Sequence, residues 1–234
     1  MTSMKASVII TAACLVLVLS GLVLVCLCTF LPYWQVLEPV IEEAEIIGPI
    51  RESIQRSNGL WKRCVTYPDT GTHICDHYDD FFLGLPAILQ LARYLSIISM
   101  ASAITSVVAT VSGLLFGVLC LRKDWMCLKI LMVISLIANF LSSLVSAGTI
   151  LYAVTKYDNQ ITKDNQAYLP FSAGPIYERG SCIYYGWIGG GFLICGAIMS
   201  LIAAMVGIVA LCQKQKSTYT AVHKNPPPVT SSKV

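Results

Sequence analysis

Charge is scarce in this chain. Only 12% of its 234 residues are charged, sixteen basic and thirteen acidic, about half the share usual in a soluble domain. With 56% hydrophobic residues, it has too little polar surface to cover its apolar mass, which argues against an ordinary soluble enzyme. The same balance excludes a disordered chain, which needs low hydrophobicity and high charge. A net charge of +3 without a large basic cluster gives no footing for nucleic-acid binding. Histidine is limited to His73, His77 and His223, and the chain holds no Ser/His/Asp set, no metal cluster and no phosphate-binding loop. It is therefore read as non-enzymatic, with no catalytic, cofactor-binding or metal residues.

Four apolar runs make up nearly half of the chain: residues 6–31, 94–121, 130–154 and 183–212, none holding a charged residue. Each exceeds the roughly 20 residues that cross about 30 Å of hydrocarbon at about 1.5 Å per residue. A soluble helix so long and so apolar would have no polar face, so the runs are read as four transmembrane helices. Lys5 followed by an apolar run also suits a signal peptide. The run is longer than the roughly 7–15 residues of a signal-peptide core, and an uncleaved anchor is expected.

Orientation follows from the loops. One side carries Lys5, Arg122, Lys123, Lys129, Lys214, Lys216, Lys224 and Lys233 against Asp124 alone. The positive side is expected in the cytoplasm, with both termini. The chain then divides into a membrane domain over 1–212, with outer loops over 32–86 and 155–182, and a cytoplasmic tail over 213–234. The first outer loop has nine acids and four bases, and the second is near neutral.

The first outer loop is too long for a mere connector. Its β-prone stretches at 36–41, 60–67 and 72–75, with a type I turn at Pro68-Asp69-Thr70-Gly71, predict a small sheet. Cys64 and Cys75 are the two cysteines of this loop and become cross-strand neighbours in an oxidising compartment. A disulfide is expected, stabilising the loop by roughly 2–4 kcal/mol. The rival is a metal pair joined by His73 and His77, which the lack of a C-x-x-C spacing and the outside location disfavour.

Of the remaining cysteines, Cys14, Cys26, Cys28 and Cys195 are read as apolar fillers of the spans. Cys120, Cys127 and Cys212, near the inner surface, are candidate palmitoylation sites. Cys182 lies outside with no obvious intrachain partner, either buried or bonded to another molecule. Gly113 with Gly117, Gly186 with Gly190, and Ala203 with Gly207 are small-residue pairs suited to helix contacts, and Asn139 is expected to hydrogen-bond within the bundle.

These residues together resemble the claudins. The likeness rests on Trp34, Gly59-Leu60-Trp61, Cys64 and Cys75, on Leu85-Pro86, Leu89-Gln90 and Ala92-Arg93, and on Tyr177-Glu178, Gly180, Tyr184 and Gly186-Trp187. The Gly-Leu-Trp-x-x-Cys-x10-Cys pattern alone also marks peripheral-myelin-type proteins and calcium-channel gamma subunits. The absence of any N-x-Ser/Thr acceptor disfavours those relatives. The resemblance implies a left-handed four-helix bundle capped outside by a small antiparallel sheet, an all-α membrane fold with a β cap. Trp34 and Gly59-Leu60-Trp61 would anchor the cap, and Arg93 would support it from span two.

Two departures stand out: 24 residues separate Trp34 from Gly59, several more than is usual, and they include Glu38, Glu42, Glu43 and Glu45. The Cys pair that many claudins carry at the inner end of span two is missing.

The resemblance also implies function. Family members polymerise in one membrane, bind across the intercellular gap and line paracellular channels or seals at tight or septate junctions. Asp76, directly after Cys75, resembles a selectivity position of cation-permeable claudins, with Asp69, Asp79 and Asp80 as weaker candidates. Tyr168 and Phe171 are candidate tips for contacts across the gap. The ending Ser232-Lys233-Val234 resembles a class I PDZ ligand. The expected partners are thus further copies in cis and in trans, a PDZ scaffold and membrane lipid. The alternative is an auxiliary subunit or trafficking partner of a channel or receptor that forms no strands.

Overall fold

The computed structural model describes the backbone of residues 2–37, 55–67, 70–78, 86–123, 125–168 and 177–224, with side chains described over 4–37, 55–67, 70–78, 86–123, 125–163 and 178–213. Four helices carry the fold: α1 (Thr2–Phe30), α2 (Ala87–Arg122), α3 (Met126–Tyr168) and α4 (Ser181–Lys224). Each is long and apolar enough to cross a membrane. In the bundle, α1 packs on α2 and α4, and α3 packs on the same two.

The helices are apolar on nearly every side, so burial sorts their residues by size and polarity. Large aliphatic side chains such as Ile9, Val16, Val108, Leu115 and Met205 point outward. Small and hydroxylated residues fill the interior: Ser7, Thr11, Ser99, Ser106, Ser143, Ser146 and Ser200 are fully buried. Lipid is as apolar as leucine, so close packing and interhelical hydrogen bonds hold such a bundle together. Asn139 Oδ1 accepts from the hydroxyls of Ser106 and Ser143, and its Nδ2 donates to Cys14 Sγ at 3.3 Å. The Ser99 hydroxyl donates to the Ser146 carbonyl at 2.9 Å, and Ser146 returns the bond at 2.7 Å. Gly117 faces Val8 and Met132, Gly190 faces Leu151, and Gly207 faces Val133, so the small residues pack within the bundle.

Above one end of the bundle lies a five-stranded antiparallel sheet of β1 (Gln35–Leu37), β2 (Gln55–Asn58), β3 (Lys62–Tyr67), β4 (Thr72–His77) and β5 (Tyr177–Arg179), ordered β4-β3-β2-β1-β5. β3 and β4 fulfil two of the expected strands, and Gly71 takes φ 66° in the turn between them, a left-handed conformation open to glycine. β1 is described over three residues, and positions 38–41 lie outside the described residues. β2 and β5 were not foreseen, because polar Gln55–Asn58 and three-residue Tyr177–Arg179 carry little local strand signal.

Helix ends also differ from the sequence reading. α2 starts at Ala87, after Pro86, rather than at 94, because Leu89 and Ala92 face the core. α3 continues past 154 to Tyr168. Tyr157 and Ile161, one turn apart, are both buried there, so this stretch has an amphipathic face to bury against the cap. Much of the second outer loop is therefore helix, rising about 20 Å at about 1.5 Å per residue. α4 likewise continues to Lys224.

Candidate functional site

The cap is held to the bundle at three points. Trp34, fully buried, donates from Nε1 to the Cys28 carbonyl at 2.6 Å and packs edge-on against Tyr157 at 5.1 Å. Its backbone N–H donates to the Asn58 carbonyl, and its carbonyl accepts from Gly180, so one residue links α1, β2 and the approach to α4. Burying an indole with its N–H satisfied suits an anchor between apolar helices and a wetter sheet.

The second point is Gly59-Leu60-Trp61. Leu60 is fully buried, and its carbonyl accepts from Arg93 Nε at 2.5 Å. The Arg93 guanidinium lies 5.2 Å from the Trp61 ring centroid and 5.3 Å from that of Tyr78. Although charged, Arg93 is only 5% exposed, and its cost of burial is offset by that hydrogen bond and the aromatic faces. Glycine is required at 59, because a Cβ there would stand 2.5 Å from Pro32 Cα. Burial raises the Tyr78 phenol above its ordinary pKa, while Arg63 and Arg93 pull it partly back.

The third point joins the two outer loops. β5 pairs with β1, and Arg179 Nε donates to Asp158 Oδ1 on α3 at 2.5 Å. A Cβ on Gly180 would collide with the Tyr33 carbonyl. Tyr157, Gln35, Asp158 and Arg179 were not singled out from the sequence. The one signal available was the spacing of Tyr157 and Ile161.

Cys64 and Cys75 stand directly opposite on β3 and β4 and are bonded, with S–S 2.09 Å. His73 shares that face: Nδ1 lies 2.8 Å from the Thr66 hydroxyl, and Nε2 lies 3.4 Å from Cys75 Sγ. Cys64, His73 and Cys75 have the ligand types of a metal cluster. With the two sulfurs bonded to each other, they offer no thiolates, and the metal alternative has no support among the described residues.

Strand alternation puts Asp76 on the opposite face from the disulfide. Its register partner is Arg63, so a guanidinium opposes the candidate pore carboxylate, and both side chains are exposed. Arg63 also lines a cleft of ≈ 310 Å³ with Gln35, Asn58, Tyr157 and Gln160 between the sheet and the helix ends. The described strands carry Arg56, Lys62, Arg63 and Arg179 against Asp76 and Glu178. The acidity of the first loop thus belongs to segments beyond the strands. Asp69, Asp79, Asp80 and Phe171, Glu38, Glu42, Glu43 and Glu45 of the lengthened segment, and Ser232, Lys233 and Val234 lie outside the described residues, and the Tyr168 side chain does also.

Of the candidate acylation sites, Cys120 is buried beside Met4 and Met132, whereas Cys127 and Cys212 are exposed. Cys182 is fully buried, which matches the burial alternative and leaves no surface for a bond to another molecule.

Comparison with known proteins fits this architecture. Residues 6–200 match the PMP-22/EMP/MP20/Claudin family. Claudin-4 of Homo sapiens is 32% identical over 179 residues, 75% of this chain and 77% of that protein. Claudin-4 of Bos taurus is 31% identical over 60% of this chain and 63% of its own length. Claudin-18 of Rattus norvegicus is 26% identical over 64% of this chain and 59% of its own. With four spans and a disulfide-bonded outer sheet matching that family's fold, this chain belongs to the PMP-22/EMP/MP20/Claudin family, as a non-enzymatic membrane protein of cell junctions.

Proposed function

We propose that this protein polymerises side by side in the plasma membrane, engages like caps on the opposing cell, and forms a paracellular barrier or a cation-preferring paracellular channel. The observation that carries this reading is the continuity of the sheet: strands from both outer loops form one platform whose edges are β4 and β5. β4 is exposed at all but one of its positions. Edge strands offer backbone donors and acceptors to a neighbour.

In this reading the termini are cytoplasmic, and the tail docks on a PDZ scaffold through Ser232, Lys233 and Val234. Exposed Cys127 and Cys212 suit acylation better than buried Cys120 does. Tyr168 and Phe171 contribute to contacts across the gap. Fixed carboxylates in a narrow water path favour cations. Because Arg63 opposes Asp76, the cation preference depends also on Asp69, Asp79, Asp80 and the glutamates of the lengthened first loop. That segment would make the protein a divergent member of its family.

Expression in junction-free cells followed by freeze-fracture imaging tests polymerisation. Continuous intramembrane strands are expected, and dispersed particles would favour the auxiliary-subunit alternative. Dilution potentials across a reconstituted cell sheet test selectivity. D76N should lower the cation preference and R63Q should raise it; an anion preference in the wild type would defeat the charge argument.

A further inference from the structure

The register of β3 against β4 gathers cationic side chains around the disulfide. Lys62 opposes His77, Cys64 opposes Cys75, and Thr66 opposes His73. Alternation along each strand turns these three pairs to one face. The disulfide is thus flanked by Lys62 and His77 on one side and by His73 on the other. Arg56, Arg63 and Asp76 belong to the opposite face, and Asp76 is the single acid of β2, β3 and β4. Glu178 of β5 lies in the same row as Cys64, three strands away through Ser57 and Val36. That is about 14 Å at about 4.8 Å per strand, a distance at which salt screens exposed charges.

His73 also touches the bond itself. Its Nε2 lies 3.4 Å from Cys75 Sγ; a disulfide sulfur has no proton, so Nε2 is the donor. The Thr66 hydroxyl, 2.8 Å from Nδ1, holds the other side of the ring. The ring and both sulfurs fall within 4.8 Å of one another. Neighbouring cations and N–H donors stabilise thiolates, so this face favours the anion that an opened disulfide leaves.

The two sulfurs differ in access. Cys64 is fully buried, whereas Cys75 is partly exposed on an edge strand. A thiolate attacks a disulfide in line with the S–S bond, and no described strand lies beyond β4 to block that approach to Cys75.

From this arrangement we propose that Cys75 is a thiol-exchange site, modified reversibly by a small anionic thiol of the glutathione type. The thiol gives up its proton, and its thiolate attacks Cys75 Sγ. A new S–S bond forms to Cys75, the Cys64–Cys75 bond breaks, and Cys64 leaves as a thiolate beside His73 and Lys62. Cys64 takes up the proton that the attacking thiol lost, so the number of disulfides is unchanged. Return attack by the Cys64 thiolate on Cys75 Sγ expels the small thiol and restores the bond. His73 and Lys62 act as positioning residues that stabilise the departing thiolate, and the staple between β3 and β4 becomes reversible.

The test uses the full chain purified in detergent, with its free thiols first blocked by N-ethylmaleimide. Reduced glutathione is added, the reaction is stopped at intervals with more N-ethylmaleimide, and the peptides are mapped by mass spectrometry. Cys75 carrying glutathione, with Cys64 alkylated, is expected. An unbroken disulfide, or glutathione on Cys64, would overturn the proposal. H73Q should slow the modification about tenfold, and H73K, which restores a cation, should recover most of the rate. A histidine that merely braced the strands would give the opposite sign, since a loosened β4 exchanges faster; an equal or faster rate in H73Q would therefore also overturn it. K62Q should slow glutathione more than it slows neutral 2-mercaptoethanol, and equal slowing would count against recognition of an anionic thiol.

Discussion

Arg93 of α2 donates to the carbonyl of Leu60, the residue just before the Trp61 ring over which the same guanidinium lies at 5.2 Å. One cation thereby fixes both the backbone and an aromatic ring of the cap. Losing a charged hydrogen bond costs about 1.5–3 kcal/mol, and the aromatic contact adds about 0.5–2 kcal/mol. R93A should therefore destabilise the folded protein by about 2–5 kcal/mol. R93K should recover less than half of this, because an ammonium lacks the planar fork. Thermal unfolding in detergent micelles, with protease sensitivity of the first outer loop as a local readout, checks both.

Trp34 separates hydrogen bonding from packing. W34F keeps a ring beside Tyr157 but gives up the bond to the Cys28 carbonyl, and should cost about 1 kcal/mol. W34A also leaves a cavity and should cost about 3–5 kcal/mol. The difference between the two unfolding midpoints is the measurement.

Two glycines should respond in opposite ways to the same substitution. At Gly180 an added methyl meets the Tyr33 backbone, whereas at Gly148 it meets nothing within 4 Å. G180A should disrupt the junction of β5 and α4 and reduce cell-surface delivery. G148A should be neutral or stabilise its helix by up to about 1 kcal/mol. Surface biotinylation and melting temperature distinguish the two.

Tyr78 predicts an alkaline limit. Its phenol is raised above the ordinary value by burial, so the folded protein keeps a proton that the unfolded chain loses. That contribution to stability is complete below the ordinary tyrosine pKa of about 10 and is lost as pH rises through the folded value. The wild-type unfolding midpoint should fall above about pH 10 more steeply than that of Y78F.

The membrane fold was readable because its signals are local. An uncharged run of more than about 20 residues needs no partner to declare itself a span. Cys64 and Cys75 were readable for a similar reason, since a turn at Thr70-Gly71 makes near neighbours in sequence into cross-strand neighbours. β2 and β5 could not be read this way. Their residues become strands by pairing with β1 from either side, across separations that local propensity does not register. The outer extension of α3 is an intermediate case, since Tyr157 and Ile161 show a helical spacing but their burial depends on the sheet above them.

The four spans, the uneven charge of the two sides, the disulfide of the first loop and the family likeness are legible residue by residue, because hydropathy and short-range spacing act within one segment at a time. The assembled fold was needed to join both outer loops in one sheet, to pack Trp34 on Tyr157 and to bring Arg179 to Asp158. Those relationships arise where segments far apart in the chain are brought together by helix packing, and no single segment encodes them.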